Sequence, residues 1–117
     1  MKRRSIPGSK PVATKIRHKV QLHQGVTQQD LIELPVLLRE DLPRYQQILA
    51  LDPYKTRRVP SHDLKGELSG YRALEITWNG VAYRLVYRIY NAPAPRRVVV
   101  LSFAEHDPAY ERAIARK

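Results

Sequence analysis

Between positions 15 and 23 polar and apolar residues alternate. Ile16, His18, Val20 and Leu22 fall on one side, and Arg17, Lys19, Gln21 and His23 on the other. A period of two belongs to a strand, here Lys15 to His23, and Gln24-Gly25 ends it. The period then lengthens. Leu31, Leu34, Leu38, Leu42, Tyr45 and Leu49 keep helical spacing, and Thr27 with Asp30 makes a capping pattern ahead of them. Pro35 and Pro43 interrupt this stripe. Each lacks an amide donor and crowds the preceding turn. The pattern therefore predicts a short first helix, a break at Leu34-Pro35, and a second helix that bends or restarts near Pro43. Asp52-Pro53 stops it.

Tyr54 to Asp63 reads as a basic loop, and the remainder as a β-meander closed by a helix. Tyr71 to Thr77 is one predicted strand, and Asn79-Gly80 favours a tight type I′ hairpin. Val81 to Tyr90 is the second strand, and Arg97 to Phe103 the third, beyond an Ala- and Pro-rich turn. Val98 to Leu101 is apolar at every position, so the third strand should be central and covered on both faces. Asp107 can cap a short last helix that has Pro108 at its start. The expected class is α+β: an N-terminal strand, a two-helix pair, a three-stranded antiparallel meander and a short C-terminal helix. The helix pair should pack on one sheet face and leave the other free to bind. Positions 1–14, with Lys2, Arg3, Arg4 and Lys10 among Pro7, Gly8 and Pro11, read as a flexible basic arm. That arm is either a disordered terminus or an RNA-contacting one. Positions 15–117 read as one domain.

Composition narrows the function classes. A chain of 117 residues can bury one core but not a deep substrate cavity as well, so the site should be a groove or an open face. There is no cysteine, hence no disulfide, thiolate metal site or cysteine nucleophile. No apolar run approaches the roughly 18 residues of a membrane span, and no apolar core follows the first charges as in a secretory signal. A cytoplasmic protein with no membrane partner is expected. Lysine and arginine number 21 against 11 acidic residues, a net charge of +10. Such an excess attracts polyanions, nucleic acid foremost, with an acidic protein or an anionic membrane as the others.

Four stretches give the chain a resemblance. Leu49-Ala50-Leu51-Asp52-Pro53 closes the helix pair. Leu64-Lys65-Gly66-Glu67-Leu68-Ser69-Gly70-Tyr71-Arg72 resembles an LKG-x-L-x-G-x-R stretch. Tyr83-Arg84-Leu85-Val86-Tyr87 resembles a YR-aliphatic-VY strand, and His106 with Tyr110 a closing H-x-x-x-Y. In this order, over about Ile16 to Ala115, they resemble the RelE/ParE toxins of type II toxin–antitoxin systems. The resemblance implies a compact toxin bound by a cognate antitoxin, as a possible hetero-oligomer. RelE-like members are ribosome-dependent endoribonucleases that cut mRNA. ParE-like members share the fold but poison DNA gyrase, and a third reading is a non-catalytic antitoxin-binding module. An antitoxin for so cationic a toxin should be acidic and partly disordered until bound.

Metal-free RNA cleavage needs a base for the ribose 2′-OH, cations for the charge growing on phosphate, and an acid for the departing 5′-oxygen. The resemblance singles out Arg72, Arg84, His106 and Tyr110 as the catalytic set, with Lys65 in support, and all four are expected to meet on one exposed sheet face. Arg84 matches a phosphate-contacting arginine, and a guanidinium suits that role because it bonds phosphate oxygens in pairs. Its structural alternative is a pair with Glu75. Arg72 is either a transition-state cation or a rim residue. At Leu74 the chain departs from the RelE pattern, which has a second lysine there. His106 carries an imidazole, which can both donate and accept a proton, so it can act as acid or base, unless it only caps the last helix. Tyr110 lies one helical turn on. It can act as a phenolate favoured by cations, stack on a splayed base, or pack in the core. Lys55, Arg57, Arg58, Arg96 and Arg97 suit RNA-backbone contacts or form a merely solvated basic surface. His18, His23 and His62 are scattered, so no metal ligand set and no cofactor are expected.

Overall fold

The computed structural model describes residues 17–117. The basic arm 1–14 and the first two positions of the predicted opening strand lie outside the described residues. Strand β1, Lys19–Leu22, turns Val20 and Leu22 to the core. A π-helical turn, Val26–Asp30, leads into α1, Leu31–Glu33. Leu34 is extended ahead of Pro35, so the helix breaks where the proline demands. The Arg39 guanidinium donates to the Ile32 and Leu34 carbonyls that the break leaves free. Helix α2, Val36–Glu40, gives way to α3, Leu42–Leu51, and Pro43 sits in the first turn of α3, where no amide donor is needed. Asp52 then stops the helix, its carboxylate accepting from the amides of Tyr54 and Lys55.

The capping pattern at Thr27 and Asp30 needs correction. Thr27 donates its hydroxyl back to the Gln24 carbonyl, and Asp30 turns inward. The fully buried Asp30 carboxylate accepts from the Phe103 amide at 2.8 Å, from Arg112 at 2.8 Å and from Arg116 at 2.8 and 3.0 Å. A methyl group on Gly25 would lie 2.4 Å from the Arg116 guanidinium, so only glycine lets that side chain pass.

Five strands form one sheet in the order β1-β5-β4-β3-β2. They include β2, Ser61–Asp63, a three-residue strand inside the segment expected to be loop, too short for any period to be legible. Strands β3, Tyr71–Trp78, and β4, Val81–Tyr90, form the hairpin, with Asn79 and Gly80 at positive φ as a type I′ turn requires. Strand β5, Arg97–Glu105, is antiparallel to β4 and parallel to β1, and a bulge lies opposite Val86/Tyr87. Leu38, Tyr45 and Leu49 of the helices pack with Leu74, Leu85, Tyr87, Val100 and Phe103 on one face.

The opposite face is not wholly free. Helix α4, His106–Arg116, lies on it, with Ala109 and Ala113 against Val86, Leu101 and Ala104. Ser102 donates to the Ala109 carbonyl beneath it. The apolar residues of β5 on both faces demand this cover, and two alanines allow a close approach. Two ends of that face stay open beside α4. No helix among the described residues is long and apolar enough to cross a membrane.

Because the buried Asp30 carboxylate binds two guanidinium groups and an amide, its loss leaves those donors without partners. Asp30→Ala is expected to lower the unfolding free energy in urea by roughly 3 to 5 kcal/mol, the cost of breaking a buried ion pair. Glu33→Ala, which removes only the half-exposed partner of Arg112, should cost under about 1 kcal/mol.

Candidate functional site

Alternation along β3 and β4 decides which candidates can meet. Arg72 pairs in register with Tyr87, and Arg84 with Glu75. Tyr87 and Leu74 belong to the helix-side core, so Arg72 is on the helix-pair face and Arg84 on the face carrying α4. The two arginines do not share a surface, and the expected four-residue cluster loses Arg72. Period two places Arg72 with Leu74 and Ile76, which the helices cover. Its donors are also engaged. Nε bonds the Tyr87 hydroxyl at 3.2 Å, and the terminal nitrogens bond Asp63 at 2.7 Å, Ser61 at 2.8 Å and the Tyr54 carbonyl at 2.9 Å. Tyr87 in turn donates to the Pro53 carbonyl at 2.6 Å. Burial raises the Tyr87 phenol above its ordinary value against the pull of Arg72, so the hydroxyl stays a donor. Arg72 thus ties the 54–63 loop and β2 to the sheet.

Arg84 is placed differently. One terminal nitrogen donates to the Tyr83 carbonyl at 2.9 Å, and Nε is buried with no partner among the described residues. No ion pair among the described residues includes it. The carboxylate across from it, Glu75, bonds instead to Nδ1 of His62 on β2 at 2.7 Å. The His62–Glu75 pair had no signal in the sequence, because its two residues are 13 positions apart and meet only through the short strand β2.

On its other side Arg84 pairs with Ala104, two residues before His106. His106 opens α4, half-exposed. Its Nδ1 lies 2.7 Å from Asp107. The Tyr110 ring meets the His106 ring edge-on, with centroids 4.8 Å apart. Tyr110 also lines a shallow groove with Leu64, Lys65, Glu67, Leu68 and Ile114, so Lys65 joins it there. Thus Arg84, His62 and Glu75 occupy one sheet face, and α4 brings His106 and Tyr110 to the same side.

The remaining cationic candidates divide. Lys55 and Arg96 line one hollow with Arg17 and Asn91, and Lys55, Arg57 and Arg58 another with Ile48 and Leu51. Arg97 lies apart from both, over the Tyr90 ring. Among the described residues no group of three or more His, Asp or Glu side chains could hold a metal ion.

The two arginines should separate in stability measurements. Arg72→Ala is expected to lower the urea unfolding free energy by about 2 to 3 kcal/mol, because it strips a half-buried network of charged hydrogen bonds. Arg84→Ala should stay within about 1 kcal/mol of the wild type, since it breaks no ion pair.

No family model and no curated protein matches the sequence. Solved structures do. The chain is similar to a component of the toxin–antitoxin complex RelBE2 from Mycobacterium tuberculosis, with a TM-score of 0.57 and 25% identity over 79% of this chain and 94% of that one. A YoeB/ParE toxin from Agrobacterium tumefaciens matches with a TM-score of 0.61 and 19% identity, over 75% of this chain and 98% of that one. A free-state double mutant of the E. coli toxin RelE matches with a TM-score of 0.59 and 19% identity, over 86% and 97%. Helix pair, mixed five-stranded sheet and C-terminal helix are common ground, and the chain has the fold of the RelE/ParE toxin superfamily.

Proposed function

We propose that this protein is the toxin of a type II toxin–antitoxin pair and acts in the cytoplasm as a ribosome-dependent, metal-independent endoribonuclease on mRNA. One observation carries the reading. Arg84 is held on the sheet with no acidic partner among the described residues, on the side to which α4 brings an imidazole and a phenol. A structural arginine would have taken Glu75, which lies directly across the ladder and goes to His62 instead. The likeness to RelE and to a YoeB/ParE toxin supports the toxin role, and the RelBE2 complex supports an antitoxin partner. That partner is an acidic chain whose charge offsets the +10 of this one.

In this reading the 2′-oxygen of the substrate attacks the adjacent phosphorus. A P–O bond forms there, and the bond to the 5′-oxygen of the next nucleotide breaks, leaving a 2′,3′-cyclic phosphate and a 5′-hydroxyl. Arg84 grips the non-bridging oxygens as negative charge gathers on them. Two titratable units flank it, His106 with Asp107 and His62 with Glu75. One takes the 2′-OH proton and the other returns a proton to the leaving oxygen. Tyr110 stacks on a base beside the scissile bond, and Lys65 adds charge along the groove. Lys55, Arg57, Arg58, Arg96 and Arg97 add salt-sensitive contacts to RNA backbone. Arg72 serves by holding the loop and β2, and with them His62, in place.

Purified protein added to programmed ribosomes should cut the message. Arg84→Ala should slow cleavage by about a hundredfold or more, and His106→Ala by about 10²- to 10⁴-fold, while both variants melt like the wild type. Intact message with folded wild-type protein overturns the reading, and gyrase-dependent DNA breaks in the same preparation would put the gyrase poison in its place.

A further inference from the structure

At the end of the α4 face that carries Tyr90 and Arg97, the sheet presents alternating phenol rings and guanidinium groups. The Arg88 guanidinium lies 5.2 Å from the Tyr71 ring centroid and 5.1 Å from that of Tyr90, and the Arg97 guanidinium lies 4.5 Å from the Tyr90 centroid. Strand pairing sets the order, Tyr71 opposite Arg88, Tyr90 opposite Arg97, and Arg97 opposite Lys19. Lys19 points to this same face, because Val20 and Leu22 turn to the core on the other. Tyr71 is buried in the cluster under α4 and backs Arg88 from within, so the accessible part of the ladder is Arg88, Tyr90 and Arg97.

This surface has no carboxylate balance. Neither Arg88, Arg97 nor Lys19 takes part in an ion pair among the described residues. The cations rest instead on aromatic faces, which orients them without neutralising them. Three positive charges thus stand beside flat π surfaces on a rigid sheet. An acidic polypeptide would use the charges but not the planes. Single-stranded nucleic acid uses both, phosphates on the charges and bases on the guanidinium and phenol faces.

We infer that the Arg88–Tyr90–Arg97 ladder, backed by the buried Tyr71 and with Lys19 at its end, is a second RNA-binding surface that holds single-stranded RNA by base stacking, apart from the Arg84 strip. The inference builds on the proposed action on RNA but does not need cleavage. It gives the protein a hold on a strand outside the segment being cut, with little preference for sequence, since every base has a flat face.

The test is fluorescence anisotropy with the full chain and a labelled twelve-nucleotide 2′-O-methyl RNA, which cannot be cleaved through its 2′-oxygen. An abasic phosphodiester of the same length and polyglutamate of equal charge are the comparisons. The RNA should bind about tenfold or more tighter than either. Tyr90→Leu should weaken RNA binding about tenfold and leave the abasic strand unchanged. Arg88→Gln should weaken both and flatten the salt dependence. Tyr90→Phe, which keeps the ring, should bind like the wild type and so control for folding. Equal binding of RNA and abasic strand, or indifference to Tyr90→Leu in a folded variant, overturns the inference in favour of a bare charge effect. Polyglutamate binding as tightly as RNA overturns it in favour of a protein partner. A protein that binds the oligonucleotide in this way yet cuts no message on ribosomes sinks the nuclease reading and leaves the ladder standing.

Discussion

The carboxylate of Asp30 is the point at which this molecule is pinned together. It joins a turn near the front of the chain to the β5 backbone through Phe103 and to the last helix through Arg112 and Arg116. Helix α4 buries two alanines fully and Tyr110 and Ile114 partly against the sheet, a modest apolar contact for a helix. The double guanidinium clamp supplies what apolar area does not. His106 and Tyr110 ride on that helix, so the position of the proposed chemistry depends on a group that touches no substrate.

Much of the fold was legible in the sequence. The strand at Val20 and Leu22, the break at Pro35, the Asn79-Gly80 hairpin and the doubly covered β5 each follow from a local rule that nothing at long range overrides. What escaped was of two kinds. Strand β2 has three residues, and no periodicity can be read in so few. The role of Asp30 was hidden because its partners lie more than 70 positions away, while a local reading of Thr27 and Asp30 as a cap was available and consistent.

The candidate site was partly legible for the same reasons. Period two already put Arg72 beside Leu74 and Ile76, and a tyrosine with its ring in the helix-side core, Tyr87, was enough to keep it there. His106 and Tyr110 could be paired because one helical turn relates them. His62 and Glu75 could not, since their meeting depends on β2. The phosphate grip, the loop tie and the aromatic ladder all use arginine, and only the partners tell them apart. One has carboxylate and hydroxyl neighbours, one has none, and the third lies on rings.

The parallel pairing of β1 with β5 sets a limit on how the molecule can be made. The strand at Lys19–Leu22 has no neighbour until Arg97–Val100 exists, and Asp30 waits still longer for Arg112 and Arg116. Contacts of such wide sequence separation form late and slowly. Without β5 the β1 strand has no ladder to join, and without α4 the Asp30 carboxylate lacks its guanidinium partners and one sheet face lacks its cover. The fold closes only when residues 19–30 meet residues 97–116, segments that the rest of the sheet holds apart in sequence.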